Sequence, residues 1–171
     1  PRESPMETLR ARRPDAAIGS FNGLSSHMGR ILAIDYGRKR TGLAVTDPLQ
    51  IIANALDTVP THTLMDYVKS YAAANAVDAI VIGMPLQMDG QPSESYTYIR
   101  PFVEKLRKEM PAMRIELFDE RFTSKLALRA MIDGGVPKKR RREDKGLVDR
   151  VSAAIILQGY LDSRDNNLSN P

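Results

Sequence analysis

The sequence predicts an α/β fold: a five-stranded mixed sheet with its first strand central and helices on both faces. Three observations lead there. Ile31-Leu32-Ala33-Ile34 and Ala79-Ile80-Val81-Ile82-Gly83 are continuous apolar runs too short for helices, which is how strands covered on both faces read. The basic, glycine-containing connection Tyr36-Gly37-Arg38-Lys39-Arg40 joins the first run to Thr41–Thr46 as a hairpin. The remaining elements then follow in the order β-β-β-α-β-α-β-α-α, an antiparallel unit followed by two parallel crossovers.

Taken in order, the first strand ends on a carboxylate, Asp35, and the second runs from Thr41 to Thr46. Ile51 to Leu56 is a third strand, placed at an edge because Asn54 breaks its apolar content. Thr63-Leu64-Met65-Asp66 reads as a capped helix start, with Leu64, Val68, Tyr71 and Ala72 at helical spacing to about Ala76. Ala79–Gly83 is the fourth strand, followed by a loop from Met84 to Pro92. Ser93 is a candidate cap for a second helix with the stripe Tyr96, Ile99, Val103 and Leu106, which Pro101 should kink or delay and Pro111 ends.

Arg114–Glu120 is the fifth strand, and it too finishes on carboxylates. Thr123 opens a short helix that Gly134-Gly135 stops. Val136 to Asp144, with Pro137-Lys138-Lys139-Arg140-Arg141-Arg142, cannot be core and reads as a mobile loop. Gly146 to Leu161 is a helix apolar in nearly every direction, hence a buried one. The expected organisation is a flexible tail over 1–28, one domain over 29–162 and a second flexible tail over 163–171. Ser25-Ser26-His27-Met28 resembles the junction an expression vector leaves, and Met28 is a natural start.

Composition narrows the chemistry. At 171 residues, 42% hydrophobic and 27% charged, the chain supports one soluble domain with a real core, and no apolar run approaches a membrane span. The absence of Cys excludes a disulfide scaffold, a thiol nucleophile and a cysteine zinc site, and it fits a cytoplasmic protein. Two histidines, His27 and His62, are too few for a histidine metal cluster. A metal here must be held by oxygen, which points to magnesium, manganese or calcium.

Asp35, Glu120 and Asp149 are the three acids that stand out. The first two end strands at the carboxyl edge of the sheet, where open α/β sheets put their sites. Alternation sends Asp119 and Glu120 to opposite faces, so one of them enters a common site, and Glu120 reaches further. Asp149 shares a helix face with Ala153 and Ile156, and a carboxylate there needs a partner. The plainer alternatives are a turn-forming Asp-X-Gly at Asp35, a strand-end pair with Arg121, and a first-turn aspartate or internal salt bridge at Asp149. Three carboxylates without histidine or cysteine suit hard divalent cations of the kind that hydrolyse phosphodiesters in pairs. Glycoside hydrolysis would call for an aromatic-rich cleft, and the chain is 6% aromatic without Trp.

Charge argues for a polyanionic partner. From Arg121 to Arg150 there are ten basic residues against four acidic, a surplus of six beside a whole-chain net charge of +4. That concentration beside the acids is what a nucleic-acid footprint looks like, although a basic run is also an ordinary solvated loop.

Four blocks together then resemble one family. Ile34-Asp35-Tyr36-Gly37-Arg38-Lys39-Arg40-Thr41-Gly42, Gly83-Met84-Pro85-Leu86 with Met88-Asp89-Gly90, Phe118-Asp119-Glu120-Arg121-Phe122-Thr123 and Asp149-Arg150-Val151-Ser152-Ala153-Ala154 are similar to the signature blocks of the YqgF (RuvX-like) family. The resemblance runs from about Arg30 to Leu161. It implies an RNase H-like fold related to Holliday junction resolvases and a bacterial cytoplasmic nuclease that matures the 5′ end of pre-16S rRNA. It also puts the family's metal-binding acids on Asp35, Glu120 and Asp149.

The leading expectation is therefore a hydrolase of ester bonds, a nuclease using Mg2+ or Mn2+ on structured RNA or branched DNA. Asp35, Glu120 and Asp149 are its expected catalytic and metal-binding residues. Arg38, Lys39, Arg40, Arg121, Lys138, Lys139, Arg140, Arg141 and Arg142 are expected to neutralise phosphates. The competing expectations are a Holliday junction resolvase, a nucleic-acid-binding or transcription-associated factor that cuts little, and, last, an actin-like or sugar-kinase-like ATPase, for which one such domain is too short. Nothing in the sequence separates monomer from homodimer.

Overall fold

The computed structural model describes residues 29–85, 89, 91, 93–120 and 123–169; the expected N-terminal tail, Arg121 and Phe122, and Leu86, Met88 and Gly90 of the second signature block lie outside them. The strands are β1 (Arg30–Asp35), β2 (Arg40–Thr46), β3 (Ala53–Pro60), β4 (Val77–Pro85) and β5 (Arg114–Glu120). They form one sheet in the order β3-β2-β1-β4-β5, with β1 at its centre. The β1–β2 and β2–β3 pairs are antiparallel, and β1–β4 and β4–β5 are parallel. This is the five-stranded mixed sheet with its first strand central that the element order predicts.

Each face of the sheet carries its own core. Leu32, Ile34, Leu43, Ile80 and Ile82 face α1 (Leu64–Ala74) and α2 (Tyr96–Glu109), which contribute Leu64, Val68, Ile99, Val103 and Leu106. Ile31, Ala33, Ala44, Ala79 and Val81 face the long helix α5 (Leu147–Ser169), which supplies Ala153, Ile156, Leu157 and Leu161. The inner strands are apolar on both faces because both faces are covered. Each large aliphatic side chain withdrawn from water there contributes about 1.5–3 kcal/mol. The helix α3 (Thr123–Asp133) packs against α5 rather than on the sheet.

Several local expectations are corrected. Ile51 and Ile52 belong to a turn, not to the third strand: Asp47 Oδ1 accepts both of their backbone N–H groups at 2.8 Å, and Gln50 stands at φ 58 between them and Asp47. The side chain of Thr63 does not cap α1; its hydroxyl donates to the Pro60 carbonyl at 2.7 Å, and a single 3-10 turn precedes the helix. Ser93 does not cap α2 either. Its carbonyl accepts the Tyr96 N–H at 3.0 Å, its hydroxyl is buried without a partner among the described residues, and the helix starts at Tyr96 and carries Pro101 inside it.

The basic stretch expected to be a mobile loop is a short helix, α4 (Lys138–Glu143). Gly135 at φ +75 ends α3, the Pro137 carbonyl accepts the Arg141 N–H at 3.1 Å, and Lys and Arg are good helix formers. The helix α5 runs past Asp162, where fraying was expected, to Ser169. Arg164 holds that extension to the turn between β2 and β3 by donating to the Gln50 side chain at 2.6 Å and to its carbonyl at 3.2 Å.

Candidate functional site

Strand pleating decides which acids meet. In β1, Leu32 and Ile34 point toward α1 and α2, whereas Ile31 and Ala33 point toward α5. Asp35 continues the second set, so its carboxyl leaves β1 on the α5 face. In β5, Phe118 packs into the α5-side core, which puts Glu120 on that side and Asp119 on the other. Glu120 lies over the bare backbone of Gly83 on β4, the strand between β5 and β1. A Cβ at Gly83 would stand 2.9 Å from Glu120 Cδ and 2.7 Å from Ile156 Cδ1.

Asp149 arrives from the opposite side. Gly42 on β2 is paired in register with Asp35, and a Cβ there would overlap the Asp149 carbonyl. The missing side chain lets the first turn of α5 settle directly on the hairpin, which brings the Asp149 carboxylate to the end of β1. The turn before α5 is pinned as well: Thr58 Oγ1 donates to the Gly146 carbonyl at 2.7 Å, and Asp144 pairs with Arg150 while accepting the Gly146 N–H at 3.1 Å. The Arg150 guanidinium thereby holds the Asp144 carboxyl below the usual carboxylate range.

The three acids interact. Asp35 keeps some exposed surface, yet its carboxyl is pushed from the ordinary 3.8 up to about 8, first by burial, then by the negative charge of Glu120 and of Asp149. Asp149 is already engaged: its Oδ2 accepts a hydrogen bond from Arg40 Nε at 3.0 Å, with the side chains 26% and 47% exposed respectively. Arg40, expected to neutralise a phosphate, is thus a partner of one of the acids. Among the described residues no three Asp, Glu, His or Cys side chains are already gathered tightly enough to hold one ion.

The donor set nevertheless suits a hard divalent cation. It is all carboxylate oxygen, it gathers at the end of β1, and burial, then the negative charge of Glu120 and Asp149, makes Asp35 resist ionisation. Asp35, Glu120 and Asp149 are the side chains that would hold such a cation, and its charge would offset the repulsion around Asp35.

The remaining expected contacts lie around this edge. Arg38, Lys39 and Arg40 are exposed at the turn of the hairpin, and Lys138, Lys139, Arg140 and Arg142 are exposed on α4 with Arg141 half-buried. α4 precedes α5 in the chain, joined to it by the turn at Asp144 and Gly146. Sequence reasoning missed Gly42 and Gly83 as the spacers that let the acids approach. Each lies inside a quoted block, but its purpose depends on a register and a helix docking that no local pattern shows.

Comparison with known proteins bears on the whole of this chain's described core. The family model described as "RuvX: Holliday junction resolvase" matches residues 29–163. A protein of Porphyromonas gingivalis named "Putative pre-16S rRNA nuclease" is 58% identical over 138 residues, 81% of this chain and 99% of that protein. One of the same name from Phocaeicola vulgatus is 58% identical over 137 residues, covering 80% and 98%. Another, from Flavobacterium johnsoniae, is 55% identical over 137 residues, covering 80% and 99%. The solved structure of T. thermophilus RuvC in complex with Holliday junction substrate aligns at 17% identity and a TM-score of 0.46, over 80% of this chain and 95% of that one. Among the described residues no helix is long and apolar enough to cross a membrane.

Proposed function

The chain belongs to the RuvX family, described as Holliday junction resolvase, and on that footing we propose that it is a divalent-metal-dependent nuclease that trims the 5′ end of pre-16S rRNA in the cytoplasm. The observation that carries this reading is the convergence of Asp35, Glu120 and Asp149 on one strand end, with the Asp35 carboxyl pushed up to about 8.

Asp35, Glu120 and Asp149 are the residues that would hold Mg2+ or Mn2+. When bound, such a cation polarises a phosphoryl oxygen and makes a water nucleophilic near neutral pH. The chain's own contribution is positioning. The end of β1 presents the Asp35 carboxyl to the edge, and Arg40 holds the Asp149 side chain by its hydrogen bond. Arg38 and Lys39 on the hairpin, with Lys138 to Arg142 on α4, draw the polyanion to the edge and neutralise its flanking phosphates.

The family description favours a second reading, resolution of four-way DNA junctions, which needs two such sites related by a dyad. Parallel cleavage reactions on an RNA carrying the 5′ leader of 16S rRNA and on a four-way junction, with Mg2+ and with Mn2+, separate the two. Leader trimming with an intact junction supports the rRNA reading. Symmetric cutting of the junction by a dimer, with the RNA untouched, overturns it.

A further inference from the structure

Tyr36 follows Asp35 but leaves β1 on the opposite face, where it meets the first turns of α2. Its ring centroid is 5.0 Å from that of Phe102 and 6.4 Å from that of Tyr98. Tyr98 is fixed in turn, since its hydroxyl donates to Ser95 Oγ at 2.8 Å. The guanidinium of Arg38, on the hairpin turn, sits over the Tyr98 ring at 5.1 Å. Tyr36, Tyr98 and Phe102 are half-buried and Arg38 is exposed, so the aromatic group closes the rim of the core yet still shows ring surface at the edge that carries the acids.

We propose that Tyr36, Tyr98 and Arg38 form a stacking platform for one unpaired nucleobase flanking the phosphate held at the acids. The inference rests on the nuclease reading and adds the substrate class: a strand that is single or locally unpaired at the cut, in RNA or DNA. One residue along a strand advances about 3.3 Å, so acid and platform flank the same strand end from its two faces. A nucleotide crossing that end presents its phosphate to one side and its base to the other. Stacking on a tyrosine or on a guanidinium plane tolerates any base, which suits a surface that reads unpairedness rather than sequence. A base still stacked inside a duplex has no free face to offer. In this arrangement Arg38 acts through its plane as well as its charge, whereas Lys39 beside it acts through charge alone.

The test uses the full chain in chelator, so that binding is read without cleavage. Oligonucleotides carrying 2-aminopurine, as single-stranded RNA, single-stranded DNA and the matching duplexes, are titrated against wild type, Tyr98→Leu, Tyr98→Phe and Arg38→Lys. The expected result is quenching of the fluorescent base in both single strands and in neither duplex, with single-strand affinity about tenfold weaker in Tyr98→Leu and nearly unchanged in Tyr98→Phe. Arg38→Lys should lose quenching while keeping the salt dependence of wild type. Quenching and single-strand affinity unaltered by Arg38→Lys, or by a folded Tyr98→Leu, would overturn the proposal, as would equal loss on duplex. Because Arg38 is exposed, its variant remains decisive if Tyr98→Leu fails to fold. Absence of cleavage in a separate assay with metal would count against the nuclease reading and leave these binding outcomes readable.

Discussion

Arg40 Nε donates to Asp149 Oδ2 across 3.0 Å, joining the first residue of β2 to the first turn of α5. The pair bridges residues 109 positions apart and occupies one oxygen of an acid proposed as a metal ligand. Partly exposed pairs of this kind contribute less than about 1 kcal/mol, so a divalent cation can displace the arginine. Arg40→Gln should therefore change stability by less than about 1 kcal/mol while tightening Mn2+ binding several-fold, as read by calorimetric titration. Weaker Mn2+ binding in this variant would mean that Arg40 organises Asp149 for the ion instead of competing with it.

Asp35 gives the metal-free protein a definite pH response. Its folded carboxyl is raised from 3.8 to about 8, so the folded state holds a proton that the unfolded state releases. The resulting penalty is absent below about pH 4, grows as pH rises toward 8 and is complete above it. In chelator, Asp35→Asn should be more stable than wild type by on the order of 2–4 kcal/mol at pH 8, a difference that vanishes near pH 4. Thermal melts across that range check this. A variant less stable than wild type at every pH would contradict the buried, mutually repelled carboxylate.

Gly42 and Gly83 should resist enlargement for reasons that separate in assay. Gly42→Ala drives a methyl into backbone at Asp149 and should cost about 1–3 kcal/mol while displacing α5 from the hairpin. Gly83→Ala meets the Glu120 side chain and Ile156 Cδ1, which can shift. It should melt closer to wild type yet cut poorly, because Glu120 is pushed off its path across β4. Equal cleavage by Gly83→Ala and wild type would remove Glu120 from the site.

The turn at Gln50 stands apart from the chemistry. Its buried amide donates to the Gly29 carbonyl at 2.8 Å and to Asp78 at 3.0 Å, and accepts from Arg164 at 2.6 Å, all at a positive φ. Gln50→Ala should lose roughly 2–3 kcal/mol by removing these hydrogen bonds, and should cut at the wild-type rate well below its melting temperature. A cleavage defect with normal stability would tie this end of the sheet to function.

Charge on α4 should register as salt dependence. Replacing Lys138, Lys139 and Arg140 with serine should weaken nucleic-acid binding and flatten the plot of log affinity against log salt by roughly 2–3 if each meets a phosphate. An unchanged slope would make α4 a solvated helix only.

What the sequence revealed, and what it hid, follows the range of the interactions. The apolar runs at Ile31–Ile34 and Ala79–Gly83 announce buried strands because burial on both faces leaves no polar position to interrupt them. Arg114–Glu120 was legible to its last residue, and the pleat separating Asp119 from Glu120 is local geometry. Ile51 and Ile52, at the end of the turn from Asp47, read as the start of a strand because they look like core, yet both are exposed and held by one carboxylate. The extension of α5 to Ser169 depends on Arg164 reaching Gln50, and the engagement of Asp149 depends on Arg40, both far apart in the chain. No periodicity encodes such pairings.

Asp35, Glu120 and Asp149, brought together at the end of β1 from three elements, are the residues proposed to make this chain a metal-dependent nuclease. The most direct test of that role is the single-turnover cleavage rate of leader RNA with Mn2+ for wild type, Asp35→Asn, Glu120→Gln and Asp149→Asn, beside RNA affinity in chelator. Wild type alone should cut, chelator should abolish that cutting, and affinity should stay within a few-fold in all four proteins. Cleavage by Asp149→Asn at the wild-type rate, or cutting by wild type that persists in chelator, would contradict it.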